Sequence, residues 1–90
     1  MSEVIVFETP RHYRLPTLHQ AERQFEWLDV ESGVLDGFYT SDGELLGVTR
    51  GDDGVYINLA RSHRFAAQEL ADRLASTFCD GRPCCKEQLT

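Results

Sequence analysis

The chain reads as a small α+β domain, an antiparallel sheet of three to four strands packed against two helices in the order β-α-β-β-β-α. Three observations predict it. Alternating apolar runs flank Ser41-Asp42-Gly43 and Gly51-Asp52-Asp53-Gly54, and Asp-Gly between such runs is a strong hairpin signal because a type I′ turn needs positive φ at both central residues. A stripe at helical spacing, Ala67, Leu70, Ala71, Leu74 and Phe78, follows the last run. Ninety residues suit one domain, over residues 1–80 with a flexible tail at 81–90, and no apolar run approaches the roughly 20 residues of a membrane span.

Glu3 to Glu8 reads as the first strand, apolar on both faces through Val4-Ile5-Val6-Phe7, as a strand covered on both sides or paired centrally would be. Thr9-Pro10 breaks it, and Tyr13 and Leu15 alternate with Arg14 in a short extended return before Pro16. Thr17-Leu18-His19-Gln20 has the form of a capping box, so a helix is expected over 18–30 with Leu18, Ala21, Phe25 and Leu28 on its apolar side. Residues 25–30 also alternate, so a strand competes with the helix there.

Strands are expected near 34–40, 44–50 and 55–59. A two-residue Asp42-Gly43 loop would set Tyr39 opposite Leu46, Phe38 opposite Gly47 and Gly37 opposite Val48. Leu35, Tyr39, Leu46, Val48, Val55, Ile57 and Leu59 then form the core face, carrying a helix over 62–78 capped by Ser62 and stopped at Asp80-Gly81 and Pro83. The other face carries Phe38, Leu45 and Tyr56, more apolar than a free surface needs, and predicts a homodimer through that face or an edge strand, the alternative being that the first strand or first helix covers it.

The acidic N-terminal sequence and its four-residue apolar stretch do not make a signal peptide, so a cytoplasmic protein is expected. Cys79, Cys84 and Cys85 bunch near the end of the chain. With a histidine they could supply four zinc ligands, but adjacent Cys84 and Cys85 chelate poorly and the reading is free thiols with no metal or cofactor. His12, His19 and His63 share no motif, and the sequence carries no phosphate loop, nucleophile elbow or zinc-protease motif. No catalytic role is assigned to any residue.

Charge is unevenly spread. The net charge is −6, yet residues 22–53 alone carry nine acids against Arg23 and Arg50, a net of −7. A local field of that kind can steer a basic partner. Glu22, Glu26, Asp29, Asp36, Asp42, Glu44, Asp52 and Asp53 are therefore the expected partner-binding residues of a non-enzymatic protein-binding domain. Small acidic domains of this type include inhibitors, immunity proteins and nucleic-acid mimics, phage antagonists of host defence among them.

The order αβββα over residues 17–78 resembles the double-stranded-RNA-binding domain, in topology only. That family grips phosphates with lysines at the start of its last helix, where this chain has Arg61-Ser62-His63-Arg64. Nucleic-acid binding through Arg61, Arg64 and Arg73 is the alternative function, opposed by the acidic excess because phosphate contacts supply most duplex affinity. A small enzyme or enzyme subunit ranks behind both.

Overall fold

The computed structural model describes residues 3–79. Its elements run β1 (Val4–Glu8), β2 (Arg11–Leu15), α1 (Leu18–Gln24), α2 (Trp27–Glu31), β3 (Gly37–Thr40), β4 (Glu44–Arg50), β5 (Ile57–Phe65), α3 (Ala67–Ser76) and β6 (Phe78–Cys79). The six strands form one sheet in the order β5-β4-β3-β1-β2-β6, antiparallel throughout except where β6 joins β2 in parallel. The α+β class stands. Among the described residues the sheet is larger than the expected three to four strands and mixed, and there are three helices instead of two.

β1 takes the place its two-sided apolarity calls for. It lies between β2 and β3, with Val4 opposite Leu15 and Thr40, and Val4, Ile5, Val6 and Phe7 are all buried. Alternation along the strand sends Val4 and Val6 to one face of the sheet and Ile5 and Phe7 to the other. The first face carries the larger core, where α1 and the following turn bring Ala21 and Phe25 onto Val6, Phe38, Leu46, Ile57 and Leu59. The second face carries α3, whose Leu70 closes a smaller cluster with Ile5, Phe7 and Tyr39.

That division corrects the expected register. The β3–β4 loop has three residues, Ser41–Gly43, and Tyr39 pairs with Leu45 instead of Leu46. Gly43 adopts φ +96° with its amide donating to the Thr40 carbonyl at 2.9 Å, the left-handed third position of a three-residue hairpin loop. A Cβ on Gly43 would also lie only 2.8 Å from Ala67 Cα, so glycine lets the start of α3 pass close over the loop. A one-residue slip exchanges the faces of a strand. Phe38 therefore joins Leu46 in the larger core, Tyr39 joins Leu45 beneath α3, and α3 sits on the Ile5/Phe7/Tyr39 face instead of the Leu46/Val48/Ile57 face. The two sides of the sheet are covered by different helices.

Three boundaries also move. Thr17 caps α1 as expected, its hydroxyl accepting from the Gln20 amide at 3.1 Å. The helix nevertheless ends at Gln24, because Phe25 and Glu26 are extended and Glu26 bridges to Tyr56. The Trp27 amide is taken by the Val55 carbonyl at 2.8 Å. Both helix and strand readings of residues 25–30 thus hold a part of the answer, and Leu28, expected in the core, is 65% exposed.

The expected strand at 55–59 is instead β5, running from Ile57 to Phe65, and the last helix begins at Ala67, not Ser62. Ser62 donates to the Leu45 carbonyl at 2.6 Å and accepts from the Arg64 amide, so its hydroxyl is occupied inside a bulged strand. Asp80-Gly81, Pro83 and the 81–90 tail lie outside the described residues. Among the described residues no helix is long and apolar enough to cross a membrane.

Candidate functional site

The eight acidic residues expected to bind a partner do not form one surface. Glu44 is fully buried, and its carboxylate accepts from Arg61 Nε at 2.9 Å, Arg61 Nη2 at 2.7 Å and the His63 amide at 2.9 Å. The arginine first, then the His63 N–H, holds its pKa below the usual carboxylate value, so it stays charged where it lies. This anchor fixes the β4–β5 bulge and holds His63 at φ 62°, a left-handed conformation uncommon for a side chain larger than glycine. Glu44 is therefore structural and cannot meet a partner.

Three more acids serve the fold. Glu22 accepts from the Leu59 amide at 2.8 Å, closing an outward-facing N–H of the edge strand β5. Asp36 pairs with Arg73 at 2.7 Å and accepts from the Thr9 hydroxyl at 3.0 Å. Asp53 accepts from the Val55 and Tyr56 amides at 2.9 and 3.1 Å, which lowers its pKa and shapes the β4–β5 turn.

Glu26, Asp29 and Asp52 have exposed side chains with no hydrogen bond or ion pair among the described residues. The Glu26–Tyr56 bridge and the Trp27–Val55 hydrogen bond hold the start of α2 against the β4–β5 turn, which brings these acids to one end of the molecule. Leu28 and Val55, 65% and 48% exposed, stand at that same end. Sequence reading missed both as surface residues because each falls on an apolar period, Leu28 on a helix that stops early and Val55 on a strand that starts late. Asp42 is exposed in the β3–β4 loop, near Arg61 and away from this end.

Phe38, Leu45 and Tyr56, the expected dimer face, share no surface. Phe38 is buried edge-on against Phe25, Leu45 packs beneath α3 on the opposite side of the sheet, and Tyr56 is 39% exposed in the turn. Arg61 and Arg64 belong to β5, not to a helix start, and Arg61 is committed to Glu44. Arg73 lies 4.2 Å above the Phe7 ring and is tied to Asp36.

His12 is buried, its Nδ1 2.7 Å from the Thr77 hydroxyl and its Nε2 without a hydrogen-bond partner among the described residues. Burial, and then the charge of Arg14, pushes its pKa below the ordinary value. Cys79 is buried opposite His12 and disulfide-bonded, contrary to the free-thiol expectation, while Cys84 and Cys85 lie outside the described residues. Among the described residues no three His, Cys, Asp or Glu side chains cluster as metal ligands. The chain matches no protein-family model, no curated protein and no solved structure.

Proposed function

We propose that this is a non-enzymatic protein-binding domain that presents Glu26, Asp29 and Asp52 to a basic protein partner. The observation that carries the reading is the end where α2 meets the β4–β5 turn. Three exposed carboxylates without internal partners stand there with Leu28 and Val55, two apolar side chains that the core leaves out. Acidic groups beside a small apolar centre suit an interface in which charge guides encounter and aromatic or aliphatic contact holds the complex. A partner that binds nucleic acid would meet these carboxylates with its phosphate-binding residues, which is how a nucleic-acid mimic inhibits.

The test is capture from an extract of the cells that encode the protein, with the immobilised domain and the Glu26→Lys, Asp29→Lys, Asp52→Lys triple variant side by side. The expected result is a basic protein retained by the parent domain, eluted by salt as the Debye length falls below about 8 Å, and lost with the triple variant. Retention unaffected by the three reversals, or tight binding of RNA or DNA by the parent domain, would overturn the reading.

A further inference from the structure

The end of β5 is strand where its sequence reads as the start of a helix. One buried carboxylate holds it in that form: Glu44 accepts from Arg61 Nε, from Arg61 Nη2 and from the His63 amide. Apolar burial contributes little. His63, Arg64 and Phe65 are exposed, Phe65 by 63%. The strand form also sets His63 at φ 62°, which is unfavourable for a residue with a Cβ.

Parts of the helical alternative are already in place. Ser62 Oγ accepts from the Arg64 amide at 3.1 Å, the bond an N-cap makes to the second residue of its helix. α3 itself begins at Ala67 without a capping side chain, since Ala66 stands at its N-cap. The bulge supplies the chain length. Arg61 pairs with Leu46, and the Ala66 amide donates to the Gly43 carbonyl at 2.8 Å, so the steps from Arg61 to Ala66 match only those from Leu46 to Gly43. Three extended steps span about 10 Å and five helical steps about 7.5 Å. Coiling the segment therefore moves its ends by only about 2–3 Å.

We infer that Ser62 to Ala66 is a two-state segment, locked as strand by the charged Glu44 carboxylate and joining α3 as its first turn, capped by Ser62, once that carboxylate is neutralised or removed. Release ends β5 near Arg61 and lengthens α3 from 10 residues to about 14. The groups around the lock are Arg61 and His63 of β5, with Asp42 of the β3–β4 loop near Arg61. The Arg61 side chain is 55% exposed, so the lock is reached from solvent through the arginine. The inference is independent of the protein-binding reading, whose acidic end lies at the other end of β5.

The experiment follows the Cα chemical shifts of residues 62–66 by NMR, with far-ultraviolet circular dichroism, in two variants of the whole chain. Glu44→Met keeps the length of the buried side chain and removes its acceptors. His63→Pro leaves Glu44 in place and acts from the exposed segment: proline cannot adopt φ 62°, has no N–H for Glu44, and suits the first position of a helix after a serine cap. The parent chain is expected to show extended shifts, and both variants helical shifts over residues 63–66 with a matching gain of helical dichroism. Adding His63→Gly to Glu44→Met should return the extended pattern, because glycine accepts positive φ and weakens a helix. A thermal melt identifies a variant that does not fold, and the other then decides. Shifts that stay extended, or fall to random-coil values, in either folded variant would overturn the inference. Failure of both variants to fold would overturn it as well, since the strand form would then be a requirement of the fold and not one of two states.

Discussion

The two faces of the sheet hold their helices by different means. On the α1/α2 face, Val4, Val6, Ala21, Phe25, Leu35, Phe38, Leu46, Ile57 and Leu59 bury together, with Tyr13, Trp27 and Val48 at the margin. On the α3 face the apolar cluster is Ile5, Phe7, Tyr39 and Leu70, with the buried His12 beside Phe7, and much of the remaining attachment is polar. Arg73 stacks on Phe7, pairs with Asp36 at 2.7 Å and lies 3.4 Å from the Tyr39 hydroxyl, which itself donates to Glu69. Burial and the Glu69 contact raise the Tyr39 pKa, so the phenol remains a donor at neutral pH. Apolar burial is non-directional and scales with area, whereas this second attachment depends on a few side chains each staying in place. The larger face should therefore set global stability, and α3 should open first.

The largest effect that separates the two faces is a pair of truncations. Phe38→Ala removes a ring packed edge-on against Phe25 in the larger core and should cost about 3–5 kcal/mol, enough to threaten a domain of this size. Leu70→Ala on α3 should cost about 2–3 kcal/mol, near the lower end for buried leucine because the smaller cluster can collapse around the gap. Chemical denaturation measures both. Hydrogen exchange sharpens the comparison: Leu70→Ala should speed exchange of α3 amides before those of β1, while Phe38→Ala should speed both together. Equal slowing or equal speeding in the two variants would remove the distinction between the faces.

What could be read in the sequence followed from how local each feature is. Thr17 as a cap, the two-sided burial of β1 and both glycine-containing hairpin turns depend on residues close in the chain, and each occurs. The failures are long-range. Ser62 looks like a helix cap, but the Glu44 carboxylate, seventeen or more residues away, captures Arg61 and the His63 amide and keeps the segment as strand. The helix expected over 18–30 breaks where Phe25 turns into the core and Trp27 meets Val55. One residue in the length of the β3–β4 loop then decided which face α3 covers. The candidate site was legible as a charge excess, but a count of acids could not tell Glu44, Glu22, Asp36 and Asp53, used by the fold, from Glu26, Asp29 and Asp52, left at the surface.

A smaller effect tests the polar attachment. Gly37 in β3 lies directly under the Arg73 guanidinium, and a methyl group there would overlap Nη1 and crowd the Tyr39 ring at 3.1 Å. Arg73 cannot simply swing away, because its Nη1 donates to the Asp36 carbonyl at 3.2 Å and its Nη2 to the Asp36 carboxylate. Gly37→Ala should therefore cost about 1–2 kcal/mol through displacement of Arg73. In an Arg73→Met background the same substitution should cost clearly less, since the overlap with the guanidinium and the lost hydrogen bonds no longer exist and only the crowding of the Tyr39 ring remains. A full cost in both backgrounds, measured as a double-mutant cycle, would show that Gly37 is needed for the strand itself and not for the arginine.

The smallest effect concerns pH. His12 belongs to the α3 side of the sheet, 5.8 Å from Phe7 between ring centroids and bonded to Thr77 just after α3. Burial first, and the Arg14 charge second, lower its pKa from the ordinary 6.5 in the folded protein. The unfolded chain consequently binds this proton more readily than the folded one, and stability must rise with pH between the two values. As pH falls through about 6.5 the stabilising contribution of neutral His12 is lost, and the loss levels off once the folded state protonates as well. Glu44 is displaced in the same direction within its own range: its pKa lies below the ordinary 4.5, so the stability it contributes is present above that value and is lost only at stronger acidity. The His12 loss begins near pH 6.5 and the Glu44 loss only below 4.5, so measurements above pH 5 isolate the histidine. Denaturation midpoints measured between pH 7.5 and 5.5 should fall for the parent domain and fall less for His12→Gln, which keeps a polar side chain for Thr77 without titrating. If both proteins lose the same stability over that range, the acid sensitivity lies elsewhere and His12 does not tie the α3 side of the sheet to pH.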